Sequence, residues 1–264
     1  MGASPDALTA AATELREAEG LRRAIPPISD RFPEFELADA YAVQRINRDL
    51  RIASGERIVG HKIGLTSEAM QRMLGVSTPD VGSITDRMVV ENGGEFALDE
   101  LIAGHIEAEF AFRIGAPLRS GELDAKALRA AISHVALAAE IIDSRIRDWK
   151  IGLIDTVADN ASSARIVTGD WLPASDALLD ALPARVIRLL EDDAVIGEGP
   201  GAAVLGDPLE ALLWLAGTLA EQGIALSEGD VVLAGSVHRM QPMRAGSRYQ
   251  VVSEGFGTVS LRVV

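Results

Sequence analysis

The sequence predicts an α+β fold. Three observations carry that prediction. The N-terminal stretch has apolar residues at helical spacing. At Gly55 the texture changes to short apolar runs broken by Gly, Pro and Asp. Beyond that point strands and helices do not alternate strictly as βαβ units.

In chain order, two helices are expected from Asp6 to about Ala24 and from Leu37 to about Ser54, both rich in Ala, Leu, Glu and Arg. Between them Ile25-Pro26-Pro27 and Asp30-Arg31-Phe32-Pro33 cannot continue a helix and mark a loop. Strands are expected at Ile58–Ile63, Met88–Val90, Ile106–Ile114, Arg185–Glu191, Val231–Ala234, Arg248–Val252 and Thr258–Val263. Helical patterns fall at Thr66–Leu74, Ala125–Ala131 and Leu209–Gln222, the last begun by Asp207 as N-cap and Pro208 at the first helical position. Residues 1–54 read as a helical preface and residues 55–264 as one catalytic domain, with no internal repeat or heptad array.

Composition bounds the function classes. A hydrophobic share of 48% and a charged share of 24% are those of an ordinary globular chain. With 39 acidic against 25 basic residues, the formal charge of −14 repels phosphate backbones and anionic lipid, so nucleic acid and membrane are poor partners. A small anionic substrate meets the same repulsion, and its site needs local positive charge. The absence of cysteine excludes disulfides, thiolate zinc, iron–sulfur clusters and a thiol nucleophile. The N-terminus has no basic region followed by an apolar stretch, and the long apolar runs are broken by charge, Gly or Pro, so a cytoplasmic location is expected.

The segment Gly104–Ile114 alternates, with Ile106, Ala108, Phe110 and Phe112 on one face and Glu107, Glu109, Ala111 and Arg113 on the other. Two carboxylates one pleat repeat apart raise each other's pKa unless a cation lies between them. A solvated outer face of an edge strand is the commoner fate of such a pair. Glu140 shifts the balance, because it sits in the apolar run Ala136–Ile142, where a lone ionised carboxylate is costly. Three carboxylates with further positions open to water and substrate suit a hard ion such as Mg²⁺ or Mn²⁺. Such an ion can chelate a 2-oxo acid through its carboxylate and 2-oxo oxygens. Three carboxylates and one divalent cation sum to −1, so a nearby Lys or Arg is still wanted.

Lys62 ends an apolar run just before Gly64 and the Thr66–Ser67 pair. A surface lysine with a buried stem is its commonest reading; near a metal site it would neutralise substrate charge or shuttle a proton. Asp80 lies in the turn-rich stretch Gly75–Gly82, where ordinary turn chemistry is favoured. Asp155–Ser163 gathers small polar side chains that either bind substrate oxygens or cap helices and buttress loops, and spacing leaves the two open. His61 and His105 flank these motifs, His134 reads as a core residue, and His238 lies in a late loop able to line a pocket. No Ser-His-Asp spacing, Walker loop or GxGxxG is present.

Taken together, HKIGLTS, GVSTPDVG, the IEAE pair, AAEIIDSRI, DTVADNASSARIVTG and the closing GTVSLRV resemble one family. This is the 2-keto-4-pentenoate hydratase and 4-oxalocrotonate decarboxylase group of the fumarylacetoacetate hydrolase superfamily. The resemblance runs in order from about Tyr41 to the C-terminus. It implies a mixed β-roll with surrounding helices, usually a homo-oligomer, and a complex with other pathway enzymes. It implies Glu107, Glu109 and Glu140 as ligands of Mg²⁺ or Mn²⁺, Lys62 as the catalytic lysine, and Asp80 as the acid near the substrate chain. Asn160 and Ser162 are implied as substrate-pocket residues, and His238 is placed with them.

The expected reaction is hydration of 2-hydroxypenta-2,4-dienoate, through ketonisation and conjugate addition of water at C4, with Lys62 and Asp80 dividing the proton transfers. The alternative is decarboxylation of 4-oxalocrotonate. Hydrolysis of an acylpyruvate lacks an assignable base, and a catalytically dead structural partner sits poorly with the intact Glu107, Glu109, Glu140 and Lys62. Arg147-Asp148-Trp149 and Leu213–Ala216 resemble the hydratase branch, whereas His238 and Arg239 are a bulky basic pair where relatives carry small residues.

Overall fold

The computed structural model describes residues 2–66, 71, 76, 78–118 and 123–264. Helices α1 (Pro5–Leu21), α2 (Ile28–Arg31) and α3 (Leu37–Ala53) come first. Strands β1 (Ile58–Gly64), β2 (Asp80–Thr85), β3 (Val89–Val90), β4 (Glu95–Phe96) and β5 (His105–Ile114) follow. Then come α4 (Ala125–Ala131), β6 (Ile132–Ile142), α5 (Leu153–Ala158), β7 (Ser163–Thr168), β8 (Leu172–Pro173) and α6 (Asp176–Ala181). The chain closes with β9 (Val186–Glu191), β10 (Ala194–Pro200), α7 (Pro208–Glu221), β11 (Val231–Leu233), β12 (Gln241–Pro242), β13 (Arg248–Val252) and β14 (Val259–Val263).

Local chemistry sets the helix starts. Ser4 caps α1 by accepting from the Ala7 amide at 3.2 Å, with Pro5 next. At α3 the Asp39 carboxylate accepts from the amides of Glu36 and Ala3 at 2.9 and 3.0 Å. Asp207 accepts from the Leu209 amide at 2.9 Å and begins α7 as the sequence predicts.

One mixed sheet runs β2-β1-β11-β5-β6-β7-β3, with β12 on β5 and β8 on β6, and a second runs β10-β9-β13-β14-β4. The main core lies between them, where Ile106, Phe110 and Phe112 of β5 meet Leu189, Tyr249, Val251 and Leu261 of the second sheet. Helix α7 closes that core with Leu209, Leu212, Leu215 and Leu219, each fully buried leucine contributing about 1.5–3 kcal/mol. Contrary to the sequence reading of broken apolar runs, Gly201–Glu221 is long and apolar enough to cross a membrane by length and composition. Here its apolar face packs on the core.

A separate cluster joins Ala11, Ala12 and Leu15 of α1 and Ala40 and Val43 of α3 to Ile146, Val157 and Ala158. Polar ties hold the same junction. The Asp155 carboxylate accepts from the amide and hydroxyl of Ser29 at 2.9 and 2.8 Å, and the Gln44 amide donates to the carbonyls of Val81 and Val157 at 2.7 and 3.0 Å. The N-terminal helices thus buttress the strand and loop that border the site.

Several expectations are corrected. Asp80 opens a strand buried along its length rather than sitting in a turn. Ile132–Ile142 is the long strand β6, and Ser163–Thr168, Ala194–Pro200 and Leu153–Ala158 are further elements the sequence reading passed over. His134 is half-buried on β6 opposite Arg113, not a core residue. The expected helix at Thr66–Leu74 lies mostly outside the described residues.

Candidate metal centre and active site

The site is built at the middle of the larger sheet. Strand β5 is central, flanked by β11 and β6, so its Glu107–Glu109 pair does not face solvent as an edge strand would allow. Glu107 stands opposite Glu140 in the β5–β6 register, and Glu109 lies on the same face one repeat along. One oxygen from each of Glu107, Glu109 and Glu140 lies within 4.8 Å of the others. Glu109 and Glu140 are fully buried, at 0% exposure each.

Their bonding is incomplete. Glu109 Oε2 accepts from the Gly235 amide at 2.8 Å, held by a glycine at φ 106° where a Cβ would lie 2.3 Å from Thr66 Oγ1. Among the described residues Glu109 Oε1 and Glu140 Oε2 accept no hydrogen bond, and Glu140 Oε1 meets only the Lys62 ammonium. Buried carboxylate oxygens without donors are rare and point to a cation that completes them. Burial, followed by repulsion from Glu140, pushes Glu107 up to about 8. The same causes hold Glu109 well above the usual carboxylate range. Burial raises Glu140 too, with Lys62 opposing. The donor set therefore fits a hard divalent ion, which would replace protons with charge.

Lys62 reaches this cluster from β1. Its Nζ lies 3.2 Å from Glu140 Oε1 and donates to the Ala161 carbonyl at 2.9 Å, with 3% of the residue exposed. This excludes the surface-lysine reading. Burial alone would lower its pKa, but Glu140, Asp80, Glu107 and Glu109 outweigh burial and hold the ammonium above its ordinary value.

Asp80 comes from the neighbouring strand. Lys62 pairs with Gly82, and Gly64 with Asp80, so all four occupy one face. The two glycines make that possible. A Cβ at Gly64 would fall 2.1 Å from Asp80 Oδ1, and one at Gly82 would fall 3.0 Å from Lys62 Cγ. The Thr156 hydroxyl donates to Asp80 Oδ2 at 2.7 Å, whereas Oδ1 is buried without a partner among the described residues. Burial raises the Asp80 pKa, with Lys62 and Thr156 opposing.

A cavity of about 110 Å³ opens on the cluster, lined by Lys62, Asp80, Glu107, Thr156, Ser162 and His238 together with the apolar Ile142, Trp149, Ile151 and Met240. Ser162 is buried, its hydroxyl 3.3 Å from Asp159 Oδ2. His238 gives its Nδ1 hydrogen to the Arg239 carbonyl at 2.8 Å, leaving Nε2 as a buried acceptor without a partner among the described residues, and burial lowers its pKa. Its ring packs over Gly197, where a Cβ would come within 2.8 Å.

Asn160 is the exception among the expected pocket residues. Its side chain turns away to Ser83, accepting from the backbone amide at 2.8 Å and donating to the carbonyl at 2.9 Å. Both the oxygen and the nitrogen of its amide are thereby engaged with Ser83. Sequence reasoning also passed over Trp149 as a lining residue, although it had singled out the Arg147–Trp149 segment. The left-handed φ of 54° at Trp149 and an edge-on contact with His105 at 4.8 Å aim that ring, and neither is visible in residue spacing.

A larger cleft of about 560 Å³ lies between α1, α3 and the 158–160 segment. It contains the ion pairs Arg51 with Glu19 and Arg145 with Asp159, and it holds none of the carboxylate cluster. The chemistry favours the smaller cavity.

The family described as fumarylacetoacetate (FAA) hydrolase, C-terminal, matches residues 75–264. A 2-keto-4-pentenoate hydratase from Burkholderia vietnamiensis is 41% identical over 254 residues, 96% of each chain. A 2-hydroxyhexa-2,4-dienoate hydratase from Comamonas testosteroni is 42% identical over 250 residues, 94% of each chain. Among solved structures, 4-oxalocrotonate decarboxylase from Pseudomonas putida G7, complexed with magnesium and adipate, superposes with a TM-score of 0.94 at 36% identity, covering 99% of each chain.

Proposed function

The chain belongs to the fumarylacetoacetate hydrolase family, and from that premise we propose that it is a divalent-metal-dependent hydratase. It adds water to 2-hydroxypenta-2,4-dienoate to give 4-hydroxy-2-oxopentanoate, in the meta-cleavage degradation of aromatic compounds. The observation that carries the reading is the Glu107–Glu109–Glu140 cluster, with Glu109 and Glu140 fully buried and short of hydrogen-bond donors beside Lys62. The two hydratases of 41% and 42% identity support the reaction class.

In this reading Glu107, Glu109 and Glu140 hold Mg²⁺ or Mn²⁺. When bound, the ion supplies Lewis acidity toward the carboxylate and 2-oxo oxygens of the substrate. Lys62 keeps its proton and balances negative charge at the 2-oxygen. Ketonisation moves a proton from the 2-hydroxyl to C5, after which the water oxygen adds at C4 and a proton goes to C3. Asp80, with Oδ2 engaged by Thr156 and Oδ1 free, exchanges protons along the substrate chain. Ser162 and His238 face the substrate, and Ile142, Trp149 and Ile151 offer an apolar wall to its uncharged C5 end. Residues 55–264 form the catalytic unit, with residues 1–54 as its helical buttress. The enzyme works in the cytoplasm as a homo-oligomer alongside other enzymes of its route, in keeping with the catabolic reactions for which its relatives are named.

A second reading, decarboxylation of 4-oxalocrotonate, is favoured by one feature: Arg239 joins His238 in lining the cavity, where it would meet a distal carboxylate. Offering both substrates with Mg²⁺ and following products by mass separates the two. Water addition to the pentadienoate is expected to dominate; preferential CO₂ release from 4-oxalocrotonate would replace the hydratase reading with the decarboxylase one.

A further inference from the structure

We propose that Asn160 is a positioning residue for Lys62, a proposal that rests on the reading of Lys62 as catalytic. Asn160, Ala161 and Ser162 are three consecutive non-glycine residues with φ of 56°, 51° and 54°. Such residues are individually uncommon, and a run of them persists only where surrounding contacts over-determine it. The strained turn has one visible product: it presents the Ala161 carbonyl to Lys62 Nζ at 2.9 Å. Among the described residues that carbonyl is the one neutral acceptor on an ammonium otherwise surrounded by carboxylates.

The turn is held from both sides. Arg145 grips its flanks, pairing with the Asp159 carboxylate and donating to the carbonyls of Asp159 and Ser163. These bonds fix where the turn begins and ends but not how far it stands from β1. That distance is set by the two bonds between the Asn160 amide and Ser83 on β2. Strand β2 in turn lies against the Lys62 stem, since a Cβ at Gly82 would meet Lys62 Cδ at 3.1 Å and the Asn160 carbonyl at 2.6 Å. Asn160, β2 and Lys62 form a closed chain of contacts, and only the amide link can be cut without changing a backbone. Asn suits the position twice, tolerating the left-handed conformation and carrying both a donor and an acceptor.

A double-mutant cycle of Asn160→Gly with Lys62→Met tests the proposal. Glycine keeps the left-handed turn free of strain and removes only the clamp. In the wild-type background kcat is expected to fall by about tenfold, with KM within about twofold, as for a displaced catalytic group. In the Lys62→Met background the same substitution is expected to cost less than about twofold, because it acts through the missing side chain. Equal losses in the two backgrounds, or a rise in KM at unchanged kcat, overturn it. Wild-type turnover by Lys62→Met alone would remove the catalytic reading of Lys62 first, without any change at Asn160, and the proposal would fall with it. A crystal structure of the Asn160→Gly variant decides the case if the double variant falls below detection: Lys62 Nζ should leave the Ala161 carbonyl, and an unchanged contact refutes the proposal. Should the glycine variant not fold, Asn160→Asp keeps the turn preference and the bond from the Ser83 amide but loses the one to its carbonyl. It is then expected to show a loss of a few-fold, again suppressed by Lys62→Met, and an undiminished loss there refutes the proposal.

Discussion

Lys62 is the residue on which the charge balance turns. Three glutamates and Asp80 converge on one cavity, and Lys62 is the cation that pairs with them among the described residues. Removing one partner of a buried pair leaves the rest uncompensated. Lys62→Met is therefore expected to lower kcat/KM by about a hundredfold, the scale of a positioned group that stabilises developing charge, in steady-state assays with Mg²⁺. Kinetics close to wild type would reduce Lys62 to a structural ion pair. At this scale the sequence was informative wherever chemistry is written in a local pattern. The alternation of Glu107 and Glu109 with apolar neighbours, and Glu140 inside an apolar run, mark carboxylates that need a partner. The bonding of Asn160 was illegible for the opposite reason: its partner Ser83 is 77 positions away, and no local pattern reveals that contact.

Among the elements, the β1–β2 pair determines where the reactive groups meet. Gly64 and Gly82 leave the space that Asp80 and the Lys62 stem occupy. A methyl at Gly64 would fall 2.1 Å from Asp80 Oδ1, so Gly64→Ala must displace the carboxyl or open the strand pair. The glutamates stand on β5 and β6, away from that strain. Gly64→Ala is accordingly expected to lower kcat about tenfold or more while metal affinity, measured by calorimetry, stays within about twofold. Unchanged turnover would mean that Asp80 has no role set by this geometry. Strand β2 was hard to read because Ser77-Thr-Pro-Asp-Val-Gly carries turn chemistry, and because the strand is buried on both faces and so lacks alternation. Strand β6 is similar: a continuous apolar run fits a buried strand and a buried helix equally. Helix α7, by contrast, announces its start through Asp207-Pro208 and was legible to within a residue.

At the scale of the whole molecule, a chain of net charge −14 gathers three carboxylates, two of them fully buried, and that makes its stability depend on pH and metal jointly. Glu107 titrates at about 8 in the metal-free fold against 4.5 ordinarily. Across that window the folded chain keeps a proton that the unfolded chain has released, so stability without metal falls as pH rises. A bound divalent ion needs the ionised form, so its stabilisation grows over the same range. Thermal melts with chelator and with Mg²⁺, from about pH 6 to about pH 9, should show a widening gap; a constant gap would contradict the linkage. The α+β class and the family were legible from ordered motifs spread from Tyr41 to the C-terminus. The paired sheets and the packing of α1 and α3 onto the site were not, since they depend on contacts distant in sequence such as Gln44 with Val81 and Ser29 with Asp155. The central claim is that the three glutamates act through a divalent ion. Its most direct test is turnover of 2-hydroxypenta-2,4-dienoate by exhaustively chelated protein before and after Mg²⁺ or Mn²⁺ is returned, in wild type and in Glu109→Gln. Activity should vanish on chelation and return in the wild type only, whereas full turnover without metal would contradict the account.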